Sequence, residues 1–517
     1  MPLSSQKINN SETYILLVLF IPDSPTISDR INEAFEPLVE IMEKLFFWDP
    51  FKAIGWDIGA TVPIVVLWLI LGGIFFTIRM KFINIRAFPH AIRLIKGDYD
   101  KPGERGEVSH FQALATALSA TVGLGNITGV AVAITVGGPG ATFWMIVAGF
   151  FGMSLKFTEC TLGLKFRKID KNGQVSGGPM YYLKNSVKIK GIRWFGKFLA
   201  GLYALLMVGA SFGGSNMLQS NQAFAQFSLL VPGAEKYGFW FGLVLASLVG
   251  IVIVGGIKSI ARVTGKLVPF MALFYIGAAL VIIAIHFDRI DDVFTLIFRS
   301  AINPQAIKGG LIGVLITGFQ RGAFSNEAGV GSAAVAHAAA RTNEPVREGI
   351  VAMMGPFIDT IIICTITSLV LIFSGFYQNP QGLEGTQLTS AAFETVFPWF
   401  PYLLVFAILL FAFSTMISWS YYGLKGFTYL FGDAFRKLFG NPRVAVFTYF
   451  ILFSLFTIIG ASSTLDSVLQ FSDMMVLTLA FPNIIGLLIL SPIVVKETKE
   501  YMNRLKNGEF VLYKKQQ

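Results

Sequence analysis

Gly-Leu-Gly-Asn, residues 123–126, sits in the middle of an apolar stretch, residues 111–136, that is long enough for a membrane-spanning helix. A second apolar stretch, residues 306–338, is interrupted by Arg321-Gly-Ala-Phe-Ser-Asn-Glu-Ala-Gly-Val-Gly331. In hydrocarbon an unpaired backbone N–H or C=O costs several kcal/mol, so irregular backbone at membrane depth persists only where it lines a protein-enclosed cavity. Interrupted spans in corresponding positions of two chain halves point to the midplane binding site of a secondary transporter.

Composition agrees with a membrane chain. Of the 517 residues, 54% are hydrophobic and 14% charged, with a mean hydropathy of +0.63, against about 25% charged in a soluble domain. A formal net charge of +10 would suit a nucleic-acid partner if the bases formed one face. Here Lys and Arg cluster in short connections between apolar stretches, which is membrane topology. Cys160 and Cys364 both fall inside apolar stretches and indicate no disulfide framework, and His90, His110, His286 and His337 show no metal-ligand spacing.

At roughly 20 apolar residues per spanning helix, the chain predicts an all-α membrane protein of about eleven spans. They fall near residues 57–80, 111–136, 141–165, 196–228, 238–257, 265–286, 306–338, 349–376, 400–424, 443–462 and 470–495. The two longest, 196–228 and 306–338, include tilted or non-spanning ends, and Leu388 to Phe397 reads as a short amphipathic helix ahead of its span. Residues 1–56 carry more acids than bases, whereas the next connection holds Lys81, Arg86, Arg93, Lys96, Lys101 and Arg105. The N-terminal segment 1–56 is therefore expected outside, and the tail, residues 496–517, in the cytoplasm. With the first helix and its basic loop (57–110) set aside, the interrupted spans are the first and sixth of ten. They run in opposite directions, so residues 111–287 and 288–495 form a five-plus-five inverted repeat, a reading that rests on topology because the halves share no convincing sequence similarity.

Tyr14 to Ile21 is too short to span and resembles a signal-peptide core, but only Lys7 precedes it and no small-residue cleavage site follows; whether residues 1–26 are a cleaved leader stays open. Residues 29–48 alternate acids with apolar residues at helical spacing, as an amphipathic helix on the outer membrane surface does.

The first interruption suits a carboxylate. N–H groups exposed where a helix unwinds, with the positive end of the following half-helix, form an anion site, and Gly123 and Gly125 permit the backbone angles and close approach. Gly-Leu-Gly alone is equally explained by tight helix packing; Asn126, Thr128 and the second interruption favour the site. Gln219 and Asn221 lie within an apolar span, where a buried amide needs a partner. Among intramembrane ionisable residues, Arg321, Glu327 and Asp359 are read as a structural or gating set, Arg321 pairing with Glu327 or Asp359. Lys156 and Glu159 are read as an i, i+3 pair near the cytoplasmic helix end.

The run Gly137-Gly-Pro-Gly-Ala-Thr-Phe-Trp-Met-Ile-Val-Ala-Gly-Phe-Phe-Gly-Met-Ser-Leu-Lys-Phe-Thr-Glu159 resembles the signature of the alanine or glycine:cation symporter family. Similar blocks follow in the family's order: Gly177-Gly-Pro-Met-Tyr-Tyr182, Asn216-Met-Leu-Gln-Ser-Asn221, Arg321-Gly-Ala-Phe-Ser-Asn-Glu-Ala-Gly329, Phe357-Ile-Asp-Thr360 and Phe411-Ala-Phe-Ser-Thr-Met-Ile-Ser-Trp-Ser-Tyr-Tyr-Gly423. The resemblance implies a leucine-transporter-type fold with one extra N-terminal helix, co-transported sodium or, less often, a proton, and a small neutral amino acid as substrate. It assigns substrate contact to Gln219 and a pocket wall to Trp419, and with Gly123, Leu124, Gly125, Asn126 and Phe324 these form the expected substrate site. The position of Leu124 is usually Thr or Ser in the family, so this chain lacks a hydroxyl there and carries more bulk. Sodium is a hard cation held by oxygens without need of a carboxylate. Its expected ligands are carbonyls near Ala120 and Gly123 and the hydroxyls of Ser414, Thr415 and Ser418, of which Thr415 and Ser418 are three apart on one helix, although Ser and Thr in membrane helices commonly bond back to their own helix.

The resemblance also implies a prokaryotic cytoplasmic (inner) membrane protein, with a monomer expected and no nucleic-acid partner. A primary pump is excluded for want of a Gly-x-x-x-x-Gly-Lys-Ser/Thr run, Gly265-Lys266 being followed by Leu267. A channel or an enzyme lacks a filter repeat or a nucleophile–base pair. Proton-coupled transport of another amino acid such as glutamine, and a non-transporting amino-acid sensor, remain the alternatives.

Overall fold

The computed structural model describes residue 37 and residues 40–101, 103–171, 173–186, 193–231, 233–303, 310–378, 382–396, 398–441 and 443–513. The leader question on residues 1–26 lies outside them, and so does half of the expected 29–48 helix, of which the π-helical turn Glu43–Phe47 is described.

The described chain is helical apart from one small hairpin. Its main helices are α1 (Ile64–Arg79), α2 (Phe88–Ile95), α3 (His110–Thr121), α4 (Gly125–Gly137) and α5 (Gly140–Lys165). They continue with α6 (Arg193–Leu230), α7 (Gly238–Ile253), α8 (Gly256–Ile285), α9 (Gly310–Asn326) and α10 (Ala333–His337). The last are α11 (Pro345–Ser374), α12 (Gly385–Glu394), α13 (Phe400–Phe439), α14 (Arg443–Ala461) and α15 (Leu465–Lys506). Among the described residues seven helices are long and apolar enough to cross a membrane, or eight if α3 and α4 make one span, and α1 and α7 are shorter apolar helices. Each of the eleven expected stretches thus falls on helix, although length and composition alone assign fewer crossings. The segment expected from Leu388 is α12, and it is no surface helix: Thr386, Leu388, Ala392 and Phe393 are buried.

Local chemistry sets the ends that matter. Ser109 caps α3 by accepting from Gln112 N at 3.2 Å, while the Gln112 side chain accepts from Ser109 N at 3.0 Å, a reciprocal capping box. The helix stops at Thr121, and α4 resumes at Gly125 with a bend of 43°. α9 stops at Asn326, and α10 begins only at Ala333. Both interruptions read from the sequence are therefore present. α9 packs on α5 through a seam of small residues: a Cβ added at Gly318 would stand 2.6 Å from Trp144 Cβ and 2.7 Å from the Ala141 carbonyl oxygen. Such backbone approach is how membrane helices gain contact without a hydrophobic driving force.

Two helices carry π-helical insertions, Gly213–Met217 in α6 and Phe357–Cys364 in α11. Each adds about one residue per turn and so shifts which side chains face the interruptions, a device common at functional sites. The hairpin pairs β1 (Lys168–Ile169) with β2 (Val175–Ser176) in antiparallel register, Lys168 opposite Ser176 and Ile169 opposite Val175.

Candidate functional site

At the first break the backbone donors meet side-chain oxygens. Gly123 N donates to Asn126 Oδ1 at 3.1 Å and Leu124 N to Gln219 Oε1 at 3.3 Å. Gln219 lies two residues past the π turn of α6, and its Nε2 donates to the Gly214 carbonyl at 3.3 Å. The Phe324 ring lies against the same break, 3.7 Å from where a Gly125 Cβ would be. Gly123 has no room for a side chain, because a Cβ there would collide with Thr415 Oγ1. The expected substrate residues Gly123, Leu124, Gly125, Asn126, Gln219 and Phe324 are thus brought together and buried. Asn221 is not among them: its amide donates to the Gly460 and Ser463 carbonyls and joins α6 to α14.

The two breaks are tied through the π segment of α11. Asn126 Nδ2 donates to Asp359 Oδ1 at 3.0 Å and to its carbonyl at 3.1 Å, and Ser325 and Thr360 each donate a hydroxyl to the same Oδ1 at 2.7 Å. Asp359 therefore joins both breaks without Arg321.

The expected pairing of Arg321 with Glu327 or Asp359 is corrected here. Arg321 projects to α15, where its guanidinium grips Asp473, Nη1 to Oδ1 at 3.1 Å and Nη2 on Oδ2, and its charge stands 6.0 Å from the Phe324 ring. Glu327 lies beyond the end of α9 with φ +54°, a left-handed conformation that costs any residue with a Cβ energy and persists only where its surroundings impose it. The surroundings do so. Its Oε1 accepts from Trp419 Nε1 at 3.0 Å, its Oε2 accepts from Ser332, and its carbonyl accepts from Lys156 Nζ at 3.2 Å. The next freed carbonyls are capped as well: Asn483 Nδ2 donates to Gly329 O at 2.7 Å, and Tyr203 OH to Val330 O at 3.0 Å. Lys156 and Glu159 do pair, at 3.7 Å, but both are buried beside this break and not near a helix end. Trp419 has no exposure and braces the second break through Glu327.

The expected sodium ligands divide. Thr415 Oγ1 donates to the Ser119 carbonyl at 3.0 Å, one residue before Ala120, and Ser119 Oγ donates to the Ser414 carbonyl at 2.6 Å, so α3 and α13 are stitched where α3 ends. The Ser414 hydroxyl is turned back onto its own helix at Phe411 O, 3.0 Å, and in this arrangement Ser414 offers only its carbonyl. Ser418 Oγ is buried with no hydrogen-bond partner. An orphaned hydroxyl one turn from Thr415, on the helix stitched to the end of α3, adds an oxygen of the kind that suits a small hard cation.

The site thus combines backbone and side-chain amides at one helix break with a hydroxyl–carbonyl seam between α3 and α13. Residues 51–515 match the sodium:alanine symporter family. The chain belongs to the sodium:alanine symporter family. It is 44% identical to the sodium/alanine symporter AgcS of Methanococcus maripaludis over 89% of this chain and 96% of that one. It is 34% identical to the probable sodium/glutamine symporter GlnT of Bacillus subtilis over 86% and 89%. The fold resembles the crystal structure of MhsT in complex with L-phenylalanine, with a TM-score of 0.51 and 14% identity over 77% of this chain and 99% of that one. The symporter thus has the leucine-transporter-type fold. It is a multi-pass membrane protein of a transporter family, and it carries an amino acid together with a cation.

Several groups that shape this symporter's site escape a sequence reading. Asp473 and Asn483 lie in the apolar stretch 470–495, and an intramembrane Asp or Asn is itself a signal. The π segments carry a weaker one, Gly213-Gly214 and Pro356 inside helix-length runs. His110 and His337, scattered in sequence, converge on Glu348: His337 Nδ1 lies 2.6 Å from Oε1, and His110 Nδ1 contacts Oε2.

Proposed function

We propose that this symporter couples inward sodium movement to uptake of a small neutral amino acid, alanine or glycine, by alternating access. It acts as a monomer in a prokaryotic cytoplasmic (inner) membrane, with the N-terminus outside and the C-terminus in the cytoplasm. Residues 111–287 and 288–495 are its inverted halves. The observation that carries this reading is the pairing of Gly123 N and Leu124 N with neutral amide oxygens at 3.1 and 3.3 Å. A substrate carboxylate makes stronger, charge-assisted bonds to the same donors and displaces them. The fully buried Leu124 side chain fills space at the break, which favours a substrate with little or no side chain. Glutamine transport and a sensor role are the alternatives.

Sodium, as co-substrate, is assigned to Thr415, Ser418 and the Ser414 carbonyl on α13, with carbonyls of Ala120 and Gly123 on the other side. Sodium and substrate share the end of α3, so each strengthens binding of the other, and that coupling is reciprocal in equilibrium affinity. One sodium moving inward gains about 2.3 kcal/mol per 100 mV of membrane potential, in addition to its concentration gradient.

The test is uptake of labelled alanine into proteoliposomes under an inward sodium gradient, against potassium at equal membrane potential, with glycine, serine and glutamine as competitors. Sodium-dependent accumulation is expected, with glycine competing better than glutamine. Strong competition by glutamine, or uptake that follows a proton gradient without sodium, replaces this reading with the first alternative; binding without flux replaces it with a sensor.

A further inference from the structure

Arg167, just past α5, knits one end of the molecule. Its guanidinium donates to the carbonyls of Ala338 at 2.8 Å, Ala340 at 2.6 Å, Thr342 at 2.7 Å and Arg105 at 2.8 Å. Glu107 adds to this, its Oε1 accepting from Val175 N at 2.7 Å while its own N donates to Ala339 O at 2.8 Å. The β1–β2 hairpin is therefore one piece with the chain entering α3 and the chain leaving α10, that is, with one end of each broken span.

Lys425 belongs to the other wall. It lies on α13, the helix of Thr415 and Trp419, six residues or about 9 Å of helix rise past Trp419. Its ammonium donates to Val175 O at 2.8 Å and Ser176 Oγ at 3.3 Å, stands 5.2 Å from the Tyr421 ring, and has Glu107 and Asp170 as the opposite charges acting on it. Beside this contact is a cavity of about 990 Å³ whose lining includes Glu107, Gln174, Ser176, Tyr421 and Lys425.

We propose that the β1–β2 strand pair is the inner gate of the transport cycle and that Lys425 is its latch. The proposal rests on the alternating-access reading above. A bond inside a rigid body has no need to break, whereas this one joins the ends of the broken spans to the helix that holds the far side of the site. Its parts suit repeated release. The ladder is two residues per strand, and lysine is a point charge on a flexible stem. The adjoining cavity gives the freed ammonium water to exchange into. In the proposed orientation the hairpin faces the cytoplasm, so release opens the site inward.

The test uses the full chain in proteoliposomes with Ser176→Cys and Lys425→Cys combined, joined by a short cleavable thiol-reactive linker; native Cys160 and Cys364 are buried. Cross-linking is expected to abolish uptake and exchange while sodium-dependent alanine binding persists, and cleaving the linker restores flux. Undiminished flux in the cross-linked protein, or loss of binding together with flux, overturns the gate. Lys425→Ala is expected to raise the external sodium needed for half-maximal uptake about tenfold, as removal of a charged hydrogen bond from one of two conformations does, with Lys425→Arg recovering most of it. An unchanged sodium dependence in Lys425→Ala overturns the latch. Wild-type vesicles run in parallel separate the two readings, because absence of sodium-driven uptake there counts against the proposed function alone.

Discussion

Gln219 and Thr415 reach the first break from different helices, α6 and α13, and do different work. Gln219 accepts from the Leu124 amide, one of the donors offered to a substrate, whereas Thr415 reaches from α13 to the last turn of α3. Gln219→Ala removes the side chain proposed to contact the substrate, where one hydrogen bond to a charged group is worth about 1.5–3 kcal/mol, and is expected to weaken amino-acid affinity by about tenfold while sodium half-saturation at saturating substrate stays as it was. Thr415→Ala is expected to do the reverse, raising the sodium requirement, with Thr415→Ser restoring it. Equilibrium binding of each ligand at fixed concentrations of the other distinguishes these outcomes, and equal loss of both in both variants counts against the division. These residues were legible because polar side chains in apolar runs are few and expensive. The fate of each hydroxyl was not: whether Ser414 turns toward α3 or back to Phe411 is decided by rotamer and neighbouring helix, neither of which a single span records.

At the scale of elements, the breaks themselves could be read from glycine placement, but what secures them could not. Arg321 and its partner Asp473 are 152 residues apart, and no local spacing selects that pair over Glu327 or Asp359. The pair fastens α9 to α15, with side-chain exposures of 10% and 8%. Removing one member of such a pair leaves a buried charge and costs about 3–5 kcal/mol, whereas replacing both by apolar residues of similar volume is far milder. Asp473→Ala is therefore expected to lower the thermal unfolding midpoint in detergent more than Arg321→Met with Asp473→Leu, and a double variant as unstable as the single counts against the pair. The π segments of α6 and α11 were equally hidden, because one extra residue per turn alters facing but not hydropathy. They nonetheless decide where Gln219 and Asp359 point.

For the whole molecule, the apolar runs, the basic connections and the order of the two breaks were enough to expect an α-helical transporter with an inverted repeat, since membrane depth leaves so few backbone solutions. The packing of α2 on the C-terminal helix was not foreseen, and it carries a pH dependence. His90 Nε2 lies 2.7 Å from Tyr501 OH, and burial, with Arg347 and Arg93 nearby, pushes the imidazole down to about 4. An unfolded histidine protonates near 6.5, so the folded form loses stability as pH falls from about 6.5 toward 4 and is unaffected above that range. Thermal unfolding between pH 8 and 4 is expected to show this slope, and His90→Gln to reduce it. A different consequence follows from the capping of the second break. Its carbonyls are claimed by Lys156, Tyr203 and Asn483, which come from α5, α6 and α15. A chain made from its N-terminus delivers the first two before residues 327–331 emerge, but Asn483 only long after them. The broken span must wait, with the Gly329 carbonyl uncapped, until α15 has been made, so a ribosome stalled before Asn483 leaves a product that membrane proteases have reason to remove.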